Sequence, residues 1–308
     1  MKFTYPVYVP SVDRHINFRE LLNKHYIAIL KFLANEDDIN LEQYFNKLIV
    51  NLNDEIDTSN LSKIDKFCII LSLRITCIGP ELSLELTCSK TDQKYSGVID
   101  LYNVLAMVSK LGFAKSKVVN MTKDVKVHLN MPSSLYYDDT NTQFDAITDV
   151  IQCIEINNTK HPVTDLTLTE KNQILDNLPG KNFDKLLKYA ASTQKNFSDL
   201  VVFKDKSPHD EEAEFTDYKL GLYDNSMFEM LKLCYRSHIA SYYGSMFTLC
   251  DTMGFTAEYI ENITPAESNI YISQKKQEIE QRKQAQAQKQ SNPTVGSPLD
   301  HGNLPGAM

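Results

Sequence analysis

Residues 62–88, SKIDKFCIILSLRITCIGPELSLELTC, decide the fold of this chain. Ser62 and Asp65 have the spacing of a capping box, so a helix is predicted to begin here. The apolar residues that follow recur at helical spacing and fill most of the circumference, which is typical of a buried helix. Gly79-Pro80 predicts its end, because glycine suits a left-handed position and proline cannot continue a helix. Leucines then alternate with polar residues, the period of a half-buried strand. We take this helix–Gly-Pro–strand unit as the core of the first domain.

Composition and charge narrow the possible function classes. The chain has 308 residues, 42% hydrophobic and 23% charged, with a net charge of −8 and a pI near 5.4. An acidic chain without a basic stripe argues against nucleic acid as a partner. Neither a membrane-spanning run nor a signal peptide is recognisable in the sequence, so no membrane is expected as a partner. The six cysteines are widely spaced, which favours reduced, buried thiols over a disulfide framework.

The predicted fold class is α+β. Residues 1–205 are expected to form an N-terminal domain of amphipathic helices with short antiparallel strands. The elements ahead of the central unit are a hairpin from Tyr5–Val9 and His15–Phe18, a helix from Asn17 or Asn23 to Asn35, and a helix capped by Asn40 and Gln43. The elements after it are a strand at 94–100, a helix at 101–111 ended by Gly112, a strand at 125–129, and helices after Thr167 and around Phe183. Residues 145–156 fit either a strand or a helix.

The rest of the chain divides into an acidic linker at 206–217, a helical interaction region at 218–290 and a disordered tail at 291–308. One stripe of a long helix that ends at Gly254 is predicted to carry Met227, Leu231, Cys234, His238 and Tyr242. Thr264-Pro-Ala-Glu267 is a strong helix-start signal. Past Ile279 the last helix has no apolar face, so this part is expected to project into solvent or to lie on a partner.

Motifs for catalysis or cofactor binding do not occur in the sequence. It contains no closely spaced Cys or His pair, no GxSxG, no P-loop and no GxGxxG. We therefore expect no catalytic, metal or cofactor residues, and no enzyme. His238 is interpreted as a satisfied core or interface histidine. The acidic run at 210–214 is interpreted as a solvated linker rather than a pair of catalytic carboxylates.

Four residues are candidates for partner contacts: Arg74, His238, Tyr271 and Ile279. The role of Arg74 can be interpreted in two ways, because the residue lies in an otherwise apolar helix near its C-terminal end. It is either a cation that favours the negative end of the helix dipole, or a partly buried guanidinium that pairs with a carboxylate across the domain or a subunit contact.

The residues Asp65, Leu73-Arg74, Gly79 and Cys88 carry a family resemblance. This segment resembles the baseplate hub subunits of T-even-type contractile-tailed phages, and the likeness extends to PSVDRHINFRELLNKHYIAILKFLANED, to VIQCIEI and to TLTEKNQILDNLPGKNFDKLLKYAAST. It covers residues 1–205. Some relatives follow the strand with a Cys pair, whereas Cys88 is followed by Ser-Lys-Thr, so a metal knuckle does not carry over.

Residues 253–279 resemble hub-assembly factors and tail chaperones, through Gly254-Phe255, Pro265, Glu267 and Tyr271. The two resemblances together imply a fusion that serves as a structural and assembly protein of the baseplate hub. Its partners would be other hub proteins and the tape-measure protein in a hetero-oligomer, first in the host cytoplasm and then in the virion tail. The alternatives are a transient tail-assembly chaperone absent from the mature virion, and a cytosolic enzyme whose site is assembled from distant residues.

Overall fold

The computed structural model describes residues 3–58, 61–87, 94–110, 117–138, 143–163, 166–198, 203–206, 212–215 and 225–291. The elements are, in chain order, β1 Thr4–Val9, β2 Arg14–Arg19, α1 Asn23–Ala34, α2 Asp38–Leu52, α3 Lys63–Cys77, β3 Glu81–Thr87, β4 Lys94–Asp100, α4 Leu101–Lys110, β5 Lys117–Asn120, β6 Val125–Leu129, α5 Gln143–Val150, β7 Ile151–Ile156, β8 Thr159–Pro162, α6 Leu168–Asp176, α7 Gly180–Ser198, β9 Phe203–Lys206, β10 Glu212–Phe215, α8 Ser226–Tyr235, α9 Ile239–Met253, α10 Ala257–Glu261 and α11 Pro265–Ser291. The fold is α+β, with short antiparallel strands among helices up to β10 and helices alone in the described residues 225–291.

Helix α3 begins with the capping box that the sequence predicts. Asp65 Oδ2 accepts hydrogen bonds from the Ser62 backbone N and Oγ, at 2.8 and 2.5 Å, while Ser62 Oγ accepts one from the Asp65 N. Asp65 is fully buried, and its other oxygen accepts the Ser11 N at 2.8 Å. The cap therefore also holds the short 3-10 turn Pro10–Val12, between β1 and β2, against α3. Gly79 follows the helix with a φ of +145°, a conformation that L side chains rarely adopt.

The first core surrounds α3. The antiparallel β1–β2 hairpin packs on it through β1, and α2, α4 and α8 cover its other sides. Most residues of α3 are nearly inaccessible, including Phe67, Ile70 and Leu71 at 0% exposure, whereas the polar Ser72 is half-buried and Thr76 is exposed. Burial of most of the circumference is what the largely apolar pattern predicts, since an open apolar side would expose large aliphatic groups to water.

A second, smaller core lies over the four-stranded antiparallel sheet β5-β6-β7-β8. Helices α5, α6 and α7 contribute Ile147, Leu175 and Leu186 to it, and the sheet contributes Val127 and Ile154. Helix α6 begins at the predicted Thr167–Glu170 capping box. The region after the central unit therefore builds a core of its own.

Two predicted helix boundaries are wrong. Helix α2 begins two residues before Asn40, because Asp37 rather than Asn40 is the cap: its Oδ1 accepts the Asn40 N at 3.3 Å and its Oδ2 accepts the Asn40 amide at 2.8 Å. The long helix predicted to run from Met227 to Gly254 is two helices, α8 and α9, separated by residues 236–238. The break lets Tyr235 and Tyr242 both pack against the Tyr26 ring, at centroid distances of 6.4 and 6.2 Å.

The ambiguity at residues 145–156 has a simple origin, because the segment contains both structures. Helix α5 ends at Val150 and strand β7 starts at Ile151 without a connecting residue. The Val150 carbonyl accepts a hydrogen bond from Asn130 N at 2.8 Å, so the helix ends directly on the start of the sheet. A stretch of sequence that spans Val150 and Ile151 therefore contains both the helical and the strand periodicity of apolar residues.

The predicted domain boundaries stay predictions. In the linker range, β9 and β10 form an antiparallel pair, while residues 207–211 and 216–224 lie outside the described residues. Gly112 and the tail from residue 292 also lie outside them. Helix α8, which follows the linker range, contributes to the first core.

We expect the Ser62–Asp65 cap to stabilise the protein measurably. Ser62→Ala removes one acceptor of a helix N–H and should lower the free energy of unfolding by about 1 kcal/mol. Asp65→Ala should cost more, about 2–4 kcal/mol, because it leaves the Ser11 N–H and the buried Ser62 N–H and hydroxyl without their acceptor. Urea unfolding measures both changes.

The matched control is Thr167→Ala, which removes the same motif at an exposed site on α6. Its loss should be smaller than that of Ser62→Ala. If Ser62→Ala and Thr167→Ala lower the free energy of unfolding equally, burial does not increase the contribution of the α3 cap to stability.

Candidate interaction surface

Arg74 is buried and lies where α3, α8 and β3 meet. Its Nε donates to the Cys234 carbonyl at 2.6 Å, its Nη2 donates to the Glu81 carbonyl at 3.1 Å, and its Nη1 donates to the Gly79 carbonyl. The guanidinium therefore binds backbone oxygens in the described structure, where one reading of the sequence expected a carboxylate. The other reading holds in part, because the cation lies at the C-terminal end of α3.

This arrangement explains why an arginine sits in an apolar helix. The carbonyls of the last helical turn have no intrahelical partner, and the Cys234 carbonyl belongs to the last turn of α8. The planar guanidinium presents several donors in fixed directions, so one side chain satisfies carbonyls from α8, the Gly79 turn and β3. Arg74 thus joins three elements; its predicted role in partner contacts stays a prediction.

His238 is exposed at the N-cap position of α9 and makes no side-chain capping bond there. It does not lie on a buried stripe, because the helix predicted to carry that stripe is interrupted at this point. The expectation of a core histidine is therefore wrong, and an interface role stays a prediction.

Tyr271 and Ile279 both lie on α11. Tyr271 is half-buried: its ring packs edge-on against Phe255 at 5.1 Å, and its hydroxyl lies 3.5 Å from that of Tyr259. Ile279 is 42% exposed. From Glu280 to Ala287 every residue of α11 is exposed, as the loss of an apolar face predicts. The side chains of Lys275 and Arg282 both pair with Glu278 along the helix.

Helices α9, α10 and α11 expose large apolar side chains at several places, and among these only Ile279 was singled out from the sequence. The exposed residues are Tyr243, Phe247, Tyr259, Ile270 and Ile279. Phe247 is 70% exposed and Ile270 is 55% exposed. Tyr243 and Phe247 are four residues apart, so they lie one above the other on α9. The i, i+4 spacing of Tyr243 and Phe247 indicates an apolar face on α9. A buried apolar stripe has the same spacing, so the sequence does not show that this face is exposed.

A cavity of about 150 Å³ lies between α1, α9 and α11. Its polar lining is uncharged and includes Tyr26, Ser241, Tyr242, Ser245 and Ser268. The Tyr242 hydroxyl oxygen is buried and has no hydrogen-bond partner among the described residues. Burial raises the pKa of Tyr242 to about 12, so the phenol stays protonated at neutral pH and cannot act as a base.

Buried charges gather where the two cores meet, around the loop at residues 131–137. Asp149 of α5 accepts the Ser133 N and Oγ at 3.1 and 2.5 Å, and the Tyr137 hydroxyl. Glu42 of α2 accepts the Leu135 N at 2.6 Å, and burial raises its pKa. These carboxylates serve as acceptors for the loop, which ties α5 of the second core to α2 of the first.

Lysines complete this junction. Lys63 is fully buried, with its ammonium 5.2 Å from the centre of the Tyr137 ring. Burial lowers the pKa of Lys66, although Glu42, Asp149 and Asp65 act in the opposite direction. The opposite charges that surround both lysines favour a structural role for the cluster.

Four of the cysteines, Cys68, Cys77, Cys153 and Cys234, are buried and free, as predicted, and burial raises the pKa of Cys77 to about 11. Cys250 is free but only half-buried, and Cys88 lies outside the described residues. Within the described residues, His, Cys, Asp and Glu side chains form no group of three or more that could hold a metal ion. In the same part of the chain, every helix is too short or too polar to cross a bilayer.

We expect Arg74→Met to lower the free energy of unfolding by about 2–4 kcal/mol, because it leaves buried carbonyl oxygens without donors. Arg74→Lys should lose nearly as much, since one ammonium cannot reach all the carbonyls. Urea unfolding with Arg236→Met, an exposed neighbour, serves as the comparison. A tolerated Arg74→Met would show that the hydrogen bonds contribute little.

Stability should also depend on pH through His25, whose Nδ1 accepts the Leu22 N at 3.1 Å at the start of α1. Burial lowers the pKa of His25 from 6.5 to about 4. Below pH 6.5 the unfolded chain therefore takes up a proton that the folded chain does not, so stability is lost as pH falls from 6.5 towards 4.

The variant His25→Gln tests this, because glutamine keeps an acceptor at the third helical position but does not titrate. The free energy of unfolding, measured between pH 7 and 5, should fall less steeply for the variant than for the wild type. Parallel slopes would mean that His25 has no part in the pH dependence.

Most of the chain matches a known protein family. A family model described as T4 bacteriophage base plate protein matches residues 2–219, more than two thirds of the 308 residues. The matched segment contains α1 to α3, the first hairpin and the four-stranded sheet, and it ends before α8. Neither a curated protein nor a solved structure matches the chain. The chain therefore belongs to the family of T4 bacteriophage base plate proteins, the structural proteins of the phage tail baseplate.

Proposed function

We propose that this protein is a structural and assembly component of the central hub of the baseplate in a contractile phage tail. It would bind other hub proteins and the tape-measure protein within a hetero-oligomeric assembly. Membership of the base plate family supports the baseplate role. The likeness of residues 62–88 to hub subunits supports the assignment to the hub.

The observation that carries the proposal is the exposure of large apolar side chains on α9, α10 and α11, which we take to form an interaction surface. Tyr243 and Phe247 present adjacent aromatic rings to solvent, and Ile270 adds an aliphatic group on α11. Large exposed aromatic residues are typical of sites where proteins bind one another, because rings bury much area at little cost in side-chain entropy. In a family whose members build a multiprotein baseplate, the natural ligand of such a surface is another baseplate protein.

The proposed mechanism is geometric rather than catalytic. Capped and buried elements hold α9 to α11 at a set position on the folded body, and the polar end of α11 extends past Ile279. Tyr271 supports the interaction surface from within, since its ring packs against Phe255. Arg74 would act through the position of α8, because its guanidinium is buried. His238, exposed at the start of α9, is a candidate contact at the edge of the surface.

We expect the double variant Phe247→Ser/Ile270→Ser to fold normally, since both side chains are largely exposed. It should enter tail particles much less well than the wild type, because partner binding loses its apolar contacts. Complementation of a phage lacking the gene, followed by quantitative mass spectrometry of purified virions, measures incorporation.

Ile39→Ser on α2 is the matched control, since Ile39 is 50% exposed but lies away from α9 to α11. Normal incorporation of the double variant would contradict the role of this surface. If the wild-type protein is present in infected cells but absent from purified virions, it is a transient assembly chaperone and not a hub component.

A further inference from the structure

We propose that residues 225–291 form a docking module that binds the rest of the chain as a separable unit, with α8 as its anchor. The groove that receives α8 is built by α1, α2, α3, α7 and the loop at 131–137, all inside the family-matched segment. Helix α8 itself lies beyond the match, which ends at residue 219. The occupant of the groove is thus a defined segment of this chain, whichever tail component the protein serves.

The apolar side of α8 has the spacing of a helix bound in a groove. The positions that face the groove are buried at 4% exposure or less and recur every three or four residues: Met227, Phe228, Met230, Leu231, Cys234 and Tyr235. Anchors at such spacing characterise short amphipathic helices that bind a preformed hydrophobic groove. A helix of ten residues is marginal in water on its own, so α8 depends on the groove for its structure.

Two aromatic residues of α8 are the central anchors. Phe228 lies between Phe45 and Tyr136, at ring-centroid distances of 6.3 and 5.1 Å. Tyr235 packs against Phe45 at 6.0 Å, and its hydroxyl donates to the Ile70 carbonyl of α3 at 2.9 Å. Buried aromatic residues that also make a hydrogen bond are the residues that contribute most at interfaces between separate proteins.

The edge of the groove is polar. Lys232 Nζ lies 2.9 Å from the Asp38 carboxylate at the start of α2. Asn225 pairs with the backbone of Tyr137: its Oδ1 accepts the Tyr137 N at 2.9 Å and its Nδ2 donates to the Tyr137 carbonyl at 2.8 Å. An apolar centre with a polar, partly hydrated rim is the usual anatomy of an interface between two proteins.

A second contact fixes the module at the start of α1. The Asn23 backbone N donates to the Ile263 carbonyl at 2.9 Å, and its side-chain Nδ2 donates to the Ile260 carbonyl and to Ser268 Oγ at 2.9 and 2.7 Å. Asn23 is almost fully buried. The two attachment sites are joined through α9 and the short connection at residues 236–238, so binding at the first raises the effective concentration at the second.

The test uses the full chain with a specific protease site inserted between Lys219 and Leu220. After cleavage we expect the two pieces to elute together from a size-exclusion column at micromolar concentration, as a one-to-one complex with the circular dichroism of the uncut protein. Separate elution, or precipitation on cleavage, would overturn the proposal. A complex of two copies of each piece would overturn the pairing of α8 with its own chain.

A variant series shows whether α8 is the anchor. Tyr235→Phe should raise the dissociation constant of the cleaved complex about fivefold, because it removes the hydroxyl that donates to Ile70. Arg236→Gln, at the exposed end of the same helix, should leave the dissociation constant nearly unchanged. If Tyr235→Phe behaves like Arg236→Gln, α8 does not hold the module and the proposal fails.

Discussion

Helix α3 has almost no polar side, and this constraint shapes the whole molecule. A fully buried aliphatic side chain is worth about 1.5–3 kcal/mol relative to exposure, so leaving one side of α3 open would be costly. The β1–β2 hairpin, α2 and α4 cover three sides with sequence-near elements. The remaining side is covered by α8, from a part of the chain more than 150 residues away, as the separation of 160 residues between Arg74 and Cys234 illustrates.

Buried polar groups fix the positions of the elements that cover α3. Asp65 connects the start of α3 to the turn after β1, and Arg74 connects its end to β3 and α8. Apolar packing alone tolerates rotation and sliding, whereas a buried donor without its acceptor costs free energy. The two ends of α3 are therefore the points at which the positions of neighbouring elements are specified. The junction around Asp149 and Glu42 does the same between the two cores.

For a baseplate protein, this arrangement separates the two cores from the helices proposed to bind partners. The family-matched segment contains both cores, apart from the residues of α8, while the exposed aromatic residues Tyr243 and Phe247 lie on the helices beyond it. The partner contacts proposed for α9 to α11 could then change without disturbing α3. The position of those helices still depends on α8 and on Asn23, so the surface is presented at a defined place.

The sequence by itself determined the local structure wherever a short-range signal was complete. The capping boxes at Ser62 and Thr167, the helix start at Thr264 and the strands with clean alternation are all present, because caps and period need only neighbouring residues. The tertiary structure decided the rest. The break at residues 236–238 follows from the packing of Tyr235 and Tyr242 on Tyr26, and the partners of Arg74 follow from where α8 lies. An apolar stripe at helical spacing shows that a face is apolar, but whether another helix covers it depends on contacts between residues far apart in the chain. Phe247 is exposed and Phe228 is buried for that reason.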